Sequence, residues 1–184
     1  MNYQIDSEFM RLRGIVAAAK PRRILEVGSL VGETLAHWIE LASEQVISVD
    51  LLVPENDYRY PAQKMGHDHL WADWARKRWI GFACIEADST LDSTVQAVWQ
   101  LCSGANGLVD FLFIDGGHDA RTCALDYLNY SLLVRPGGLV AFHDAGGREW
   151  PDVKEIWNAV KRGRRHEYIG NPMGPEMGIG VLFL

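Results

Sequence analysis

Apolar residues recur along the chain in an alternation of helical and extended patterns. Residues Asp6–Ala19 place apolar side chains at intervals of three and four positions, which predicts a helix. Two short apolar runs follow at residues 22–27 and 46–50, with a glycine turn and a second amphipathic segment between them. Strand, turn, helix and strand in this order form one βαβ unit, whose two strands we expect to be parallel with a right-handed crossover.

The same alternation resumes after an interruption at residues 51–81. The pattern predicts strands at residues 82–86, 109–115 and 139–142. A helix precedes the last of these strands, with Asp119 as its predicted N-cap and Leu128 on its inward face. We interpret the interruption as an insertion that forms a lid or a substrate wall, because long connections in compact domains often carry function.

The end of the chain adds a helix that begins at Pro151 and two closing strands at residues 166–170 and 178–184. No internal repeat or linker divides the sequence. Seven strands alternating with helices therefore predict a single α/β domain over residues 1–184, built on a doubly wound, mostly parallel sheet.

Size and composition exclude several classes of protein. The 184 residues are 48% hydrophobic, which is typical of a globular chain, and they leave no room for a second full domain. The net charge of −6 disfavours nucleic-acid binding through a global basic field. No apolar stretch approaches the ~20 residues of a membrane span, and the first residues lack the apolar core of a signal peptide. Three cysteines without CxxC spacing fit a cytoplasmic location.

A glycine turn with an acid on either side is the first candidate binding site. Glu26, Gly28 and Gly32 lie where the first strand meets its helix, and Asp50 ends the next strand. Such a turn lets a ligand approach the backbone, while Asp50 is placed to accept hydrogen bonds from both ribose hydroxyls of a nucleoside. The spacing is neither the GxGxxG fingerprint nor a Walker loop. A purely structural role for the glycines remains the alternative.

Two acid–histidine groups are the second candidate site. Asp115 ends one predicted strand and precedes His118, and His143 adjoins Asp144 at the end of the next. The carboxylates are suitable ligands for Mg²⁺ or a similar ion, which would lower the pKa of a substrate hydroxyl. His118 is alternatively a general base at neutral pH. The structural alternative is that the acids only cap the helices that follow them.

Taken together, these motifs resemble the class I S-adenosylmethionine (SAM)-dependent methyltransferases. The resemblance covers most of the chain: ILEVGSLVG, VISVD, EADS, FLFIDGGH and RPGGLVAFHDA occur in that order. It implies a Rossmann-like, seven-stranded sheet with a reversed final hairpin and an antiparallel last strand. The cofactor would lie across the carboxyl ends of the first strands.

The resemblance also implies roles for individual residues. Gly28 and Gly32 would flank the amino-acid end of SAM, Glu26 would hold its amino group and Asp50 would bind its ribose. The adenine would lie beside the loop after the third strand. The expected cofactor site consists of Glu26, Gly28, Ser29, Gly32, Asp50, Leu51, Asp88, Ser89 and Asp115.

The FIDG-x-H segment with a downstream His-Asp pair is similar to short sugar and natural-product O-methyltransferases. This similarity implies catalytic roles for Asp115, His118 and Asp144, with His118 as the base. Asp115 and Asp144, together with the neighbouring His143, are the expected metal ligands. In related macrolide-sugar enzymes an acid stands at the position of His143, and the histidine here weakens the case for Mg²⁺, leaving a transition metal or no metal as alternatives.

The sequence therefore predicts a SAM-dependent methyltransferase that transfers a methyl group to oxygen on a small hydroxylated acceptor, such as a sugar or natural product, with a divalent metal as an optional second cofactor. Neither a membrane nor a nucleic acid is expected as a partner. Because little chain remains for substrate recognition, a second copy completing the pocket is an additional hypothesis. A non-catalytic SAM-fold binding module or subunit, and a nucleotide- or sugar-processing enzyme with another cofactor, remain competing interpretations.

Overall fold

The structure is a computed structural model that describes residues 6–30, 32–51, 67–102, 107–170 and 177–184. The strands are β1 (Arg23–Val27), β2 (Gln45–Asp50), β3 (Gly81–Glu86), β4 (Val109–Ile114), β5 (Val134–Phe142), β6 (Arg165–Ile169) and β7 (Ile179–Phe183). The α-helices are α1 (Asp6–Ala19), α2 (Glu33–Leu41), α3 (His67–Lys77), α4 (Asp92–Cys102), α5 (Ala120–Tyr130) and α6 (Pro151–Val160).

The seven strands form one sheet in the order β3-β2-β1-β4-β5-β7-β6. Strands β1 to β5 pair in parallel, whereas β7 runs antiparallel to both β5 and β6. The predicted doubly wound sheet is confirmed, and so is the antiparallel last strand. The strand order reverses direction beside β1, which places the carboxyl ends of β1 and β4 next to each other at the edge where open α/β sheets bind ligands.

Helices cover both faces of the sheet. Alternate side chains of the central strands point to opposite sides, so Leu25 and Val27 of β1 belong to one apolar core and Ile24 to the other. Helices α4, α5 and α6 close the first core, and α1, α2 and α3 close the second. All residues of β1 and β4 are buried, as expected for strands covered on both faces.

Strand β5 begins earlier than the sequence pattern predicts. Its residue Val134 pairs with Val109 of β4, but Leu139 pairs with Phe111, so the intervening β5 residues form an irregularity. Gly137, in the left-handed region at φ +77°, makes this detour sterically accessible. The apolar pattern is interrupted at the irregularity, and this is why the sequence predicts only the second half of the strand.

Helix α5 confirms its predicted start, and one residue of its predicted inward face lies in solvent. The Asp119 carboxylate accepts a hydrogen bond from the Thr122 amide at 3.0 Å, as an N-cap does. Leu128, expected inward, is 60% exposed, and this prediction is wrong. The buried stripe of the helix also includes Asp126 and Tyr130, whose polar groups make hydrogen bonds with Ser89.

Helix α1 is joined to the far end of the chain. The Glu8 carboxylate accepts a hydrogen bond from the Gly178 amide at 2.9 Å, just before β7. An ion pair at 2.7 Å links Arg11 to Glu167 of β6. The apolar side of α1 packs in the same core as β6 and β7. The first helix therefore covers the last two strands.

The predicted lid at residues 51–81 lies in part outside the described residues, which resume at α3. No helix in the described ranges is long and apolar enough to span a membrane.

Candidate active site

The predicted site residues gather at the carboxyl edge of the parallel strands. The hydrogen-bond ladder continues one residue beyond the strands, since the Asp115 amide donates to the Val27 carbonyl at 2.8 Å and the His143 amide donates to the Ile114 carbonyl at 3.0 Å. These bonds fix Asp115 beside the glycine turn that follows β1, and His143 beside the end of β4. The edge predicted for ligand binding therefore presents both groups of candidate residues.

The glycine turn is held in a conformation that only glycine adopts readily at two positions. Gly28 and Gly32 have φ values of +85° and +81°, and Leu30 between them also lies in the left-handed region at +47°. A Cβ atom on Gly28 would lie 2.0 Å from the carbonyl oxygen of Asp115. Gly28 is thus required for the turn to pack against the end of β4, so the structural interpretation of this glycine applies whether or not a ligand binds.

Asp50 ties the turn to β2. Its carboxylate accepts hydrogen bonds from the amides of Ser29 and Leu30 through a single oxygen, Oδ2. Burial raises the pKa of Asp50, and these backbone bonds offset part of the rise. The turn's amides form an anion-binding concavity that this carboxylate occupies. The neighbouring Leu51 is 62% exposed at the same edge.

Glu26 lies wholly buried under the turn. Its Oε1 accepts a hydrogen bond from the indole Nε1 of Trp38 at 2.8 Å, and its Oε2 has no partner among the described residues. Burial raises the pKa of Glu26 to about 8, which outweighs the lowering by nearby Thr34, Trp38 and Ser29. The carboxyl is therefore largely protonated at neutral pH.

The loop after β3 contains the expected adenine-side residues. Asp88 accepts hydrogen bonds from the amide and hydroxyl of Thr90, at 2.8 and 2.7 Å, and these bonds lower its pKa. The Ser89 hydroxyl donates to Asp126 at 2.6 Å, and the Ser89 carbonyl accepts from the Tyr130 hydroxyl at 2.6 Å. Helix α5 therefore anchors this loop.

Asp126 is a residue that the sequence reasoning missed. It is fully buried, and burial raises its pKa to about 7. The available signal is its helical spacing from Cys123 and Tyr130, because an acid on the inward face of an amphipathic helix needs a polar partner.

Carboxylates and imidazoles alternate at the ends of β4 and β5. The Nδ1 atom of His143 lies 3.1 Å from Asp115 Oδ1 and 2.9 Å from Asp144 Oδ2. The Nε2 atom of His118 lies 3.0 Å from the same oxygen of Asp144. The structure thus brings together all four residues that the sequence singled out.

The charges of this cluster shift the pKa of its buried members. Burial would lower the pKa of His143, but Asp115 and Asp144 outweigh it and raise that pKa far above the usual value. Burial likewise would raise the pKa of Asp144, but hydrogen bonds from His118 and His143 lower it to about 2. Asp144 therefore remains a carboxylate at neutral pH. Its φ of +57° is a strained conformation of the type found at functional sites.

Two tryptophans complete the surroundings of the site. The Trp150 ring stacks on His118, with 4.2 Å between centroids and 24° between planes. Trp71 of α3 packs over the glycine turn, where a Cβ on Gly32 would lie 2.2 Å from its Nε1. The sequence reasoning missed Trp150, whose signal is an aromatic residue directly before the predicted α6. Trp71 also packs against the second apolar core, so it joins that core to the glycine turn.

A hard divalent cation that bridges Asp115 Oδ1 and Asp144 Oδ2 does not fit the arrangement that the structure shows, because His143 Nδ1 contacts both of these oxygens. Asp115, His118 and Asp144 each offer one ligand atom, and these atoms lie within 4.8 Å of one another. His143, expected as a ligand, instead directs Nδ1 at both carboxylates. A cation between these oxygens would have to displace the imidazole, because Mg²⁺ requires close contact with its oxygen ligands.

The sheet and its helices are shared with solved O-methyltransferases. The O-methyltransferase from Bacillus cereus in complex with S-adenosylhomocysteine (SAH) is 14% identical, with a TM-score of 0.66 over 100% of this chain and 84% of that chain. CalS11, a TDP-rhamnose 3'-O-methyltransferase of calicheamicin biosynthesis, is 15% identical, with a TM-score of 0.67 over 97% of this chain and 78% of that chain.

TomG from Streptomyces achromogenes, an O-methyltransferase of tomaymycin synthesis in complex with SAM, is 12% identical. Its TM-score is 0.62, over 97% of this chain and 79% of that chain. At sequence identities this low, the similarity shows that this chain shares the fold of these enzymes. No curated protein matches the sequence.

A family model described as a methyltransferase domain matches residues 25–145. This match spans the glycine turn, the acids at the strand ends and the pairing of His118 with Asp144. The chain therefore belongs to the methyltransferase-domain family.

Proposed function

We propose that this methyltransferase uses SAM as its methyl donor and methylates a hydroxyl oxygen of a small acceptor, such as a sugar or natural product. The contact between His118 and Asp144 at 3.0 Å carries the proposal, because it provides a base at the edge where the fold binds ligands. Names of the structural neighbours support the donor and the acceptor class, since they include SAM- and SAH-bound O-methyltransferases and a sugar O-methyltransferase.

The residues around the glycine turn fit the polar end of SAM and its ribose. Asp50 is fixed through Oδ2, and we expect its second carboxylate oxygen to face the ribose hydroxyls. The buried Oε2 of Glu26 has no partner among the described residues, and the ammonium of the cofactor would favour its ionised form. Gly28, Ser29, Gly32 and Leu51 would line the same end, and Asp88, Ser89 and Asp115 would line the rest of the site. The Ser89 hydroxyl already donates to Asp126, so the loop backbone is the better candidate contact.

His118 is the residue we assign to proton removal. When its Nε2–H donates to Asp144, the neutral ring carries its free lone pair on Nδ1. That nitrogen would accept the proton of the acceptor hydroxyl, and the Asp144 carboxylate would stabilise the resulting imidazolium. Trp150, stacked on the ring, restricts its rotation. Bound SAM supplies an electrophilic methyl group, so orientation and deprotonation are the main tasks left to the protein.

Substitution of His118 tests this assignment. We expect H118A to lower kcat by roughly 10²–10⁴-fold, the usual contribution of a general base, while SAH affinity measured by calorimetry stays unchanged. D144N should reduce kcat in the same direction because it removes the charge that stabilises the imidazolium. H166A, at an exposed histidine of β6, is the matched control.

Two outcomes would contradict the proposal. Wild-type kcat in H118A would remove His118 from the mechanism. A wild-type chain that binds SAH yet releases none from SAM with any hydroxylated acceptor would be a binding module instead.

A further inference from the structure

We propose that His143 takes the place of a divalent cation in this active site, so that the reaction proceeds without a metal ion. The claim that catalysis needs no metal rests on the proposed function. The claim that the chain does not bind a cation at this position can be tested without it. It goes beyond that function because it identifies the group that compensates the negative charges of Asp115 and Asp144.

The position of the imidazole carries the argument. His143 Nδ1 lies 3.1 Å from Asp115 Oδ1 and 2.9 Å from Asp144 Oδ2. This is the place between two strand-end carboxylates where a bridging cation would bind. A single N–H directed at both oxygens reduces their mutual repulsion, as a cation would.

The imidazole is fixed in this position. Its residue is only 5% exposed, and its ring packs edge-on against Phe113 with 6.2 Å between centroids. Its amide is bonded to the carbonyl of Ile114, which continues the pairing of β4 with β5. A cation that bridged Asp115 Oδ1 and Asp144 Oδ2 would therefore have to displace a buried side chain from a closely packed site.

The same geometry assigns the proton transfer to another residue. His143 is buried against both carboxylates, whereas His118, which contacts the same oxygen of Asp144, is about one-third exposed. A bound metal could polarise the acceptor oxygen directly, but a buried imidazole cannot reach it. Deprotonation of the acceptor then falls to His118.

Mn²⁺ titration of the whole chain tests the inference without SAM or acceptor. Electron paramagnetic resonance and thermal unfolding report binding for wild type, H143D and H143N. We expect no stoichiometric site in wild type and no Mn²⁺-dependent rise in its Tm. H143D, which supplies a third carboxylate, should acquire a site and a Tm that rises with Mn²⁺ concentration. H143N should acquire a weaker site, which keeps the test decisive where H143D does not fold.

Stoichiometric Mn²⁺ binding by wild type that D144N abolishes would overturn the inference. Folded H143D or H143N with no more affinity than wild type would also overturn it, because the imidazole would then not occupy a cation position. In the activity assay, SAH production by wild type should be unchanged by EDTA, and a loss restored by Mg²⁺ or Mn²⁺ would contradict the inference. A wild-type chain that binds no Mn²⁺ and transfers no methyl group would refute the proposed function alone.

Discussion

Replacing Glu26 with glutamine should change how stability depends on pH. Below pH 4.5 the Glu26 carboxyl is protonated in both the folded and the unfolded chain. Between pH 4.5 and about 8 the unfolded chain loses this proton while the folded chain keeps it, so rising pH lowers the free energy of unfolding. At about 1.36 kcal/mol per pKa unit, a rise from 4.5 to about 8 amounts to about 5 kcal/mol.

Glutamine cannot ionise, but it preserves an oxygen that accepts from Trp38. Urea unfolding of wild type and E26Q at pH 5, 6.5 and 8 measures the effect as the difference between the two proteins, because titration of all other groups cancels. We expect E26Q to gain stability relative to wild type as the pH rises. E149Q, at an exposed glutamate, controls for the loss of a charge. Parallel pH profiles for wild type and E26Q would refute the assignment of a protonated, buried Glu26.

Three further predictions concern single residues at or near the site. D50A should weaken SAH binding by roughly 1.5–3 kcal/mol for each lost ribose bond, measured by calorimetry; unchanged affinity would place the ribose elsewhere. G28A should lower the free energy of unfolding by more than about 1 kcal/mol because of its left-handed backbone and its clash with Asp115, whereas G14A in α1, with open space around its Cβ, should raise it by roughly 0.5–1 kcal/mol. In wild type, the raised pKa of Asp126 should lower the free energy of unfolding as the pH rises from 3.8 to about 7. D126N cannot ionise, so its free energy of unfolding, measured with urea, should depend less on pH over this range.

The layout of the sheet could be predicted from sequence because its signals are local. An apolar run such as 109–115 predicts a strand that is buried on both faces. Asp119 caps a helix by accepting a hydrogen bond from the amide of Thr122, only three residues away. The alternation of strands and helices then fixes which strand ends share an edge. Asp50, Asp115 and Asp144 were therefore located correctly at the edge without knowledge of any long-range contact.

Contacts across the chain could not be predicted in the same way. Asp126 becomes a partner of Ser89, 37 residues away, through the packing of α5 against the loop after β3. Trp150 meets His118 because of the path between β5 and α6, which no periodicity encodes. The role of His143 depends on its contacts, at about 3 Å, with two carboxylates. The contact with Asp144 follows from adjacency in the sequence, but the contact with Asp115 does not.

The bond from Glu8 to the Gly178 amide joins positions 170 residues apart. Helix α1 is synthesised before every strand, yet β6 and β7, which it covers, are synthesised last. Its apolar side, including Leu12 and Val16, thus gains part of its covering only when the C-terminal hairpin has paired. Such distant contacts slow folding. In native-state hydrogen exchange, α1 and the hairpin should open together as one cooperative unit.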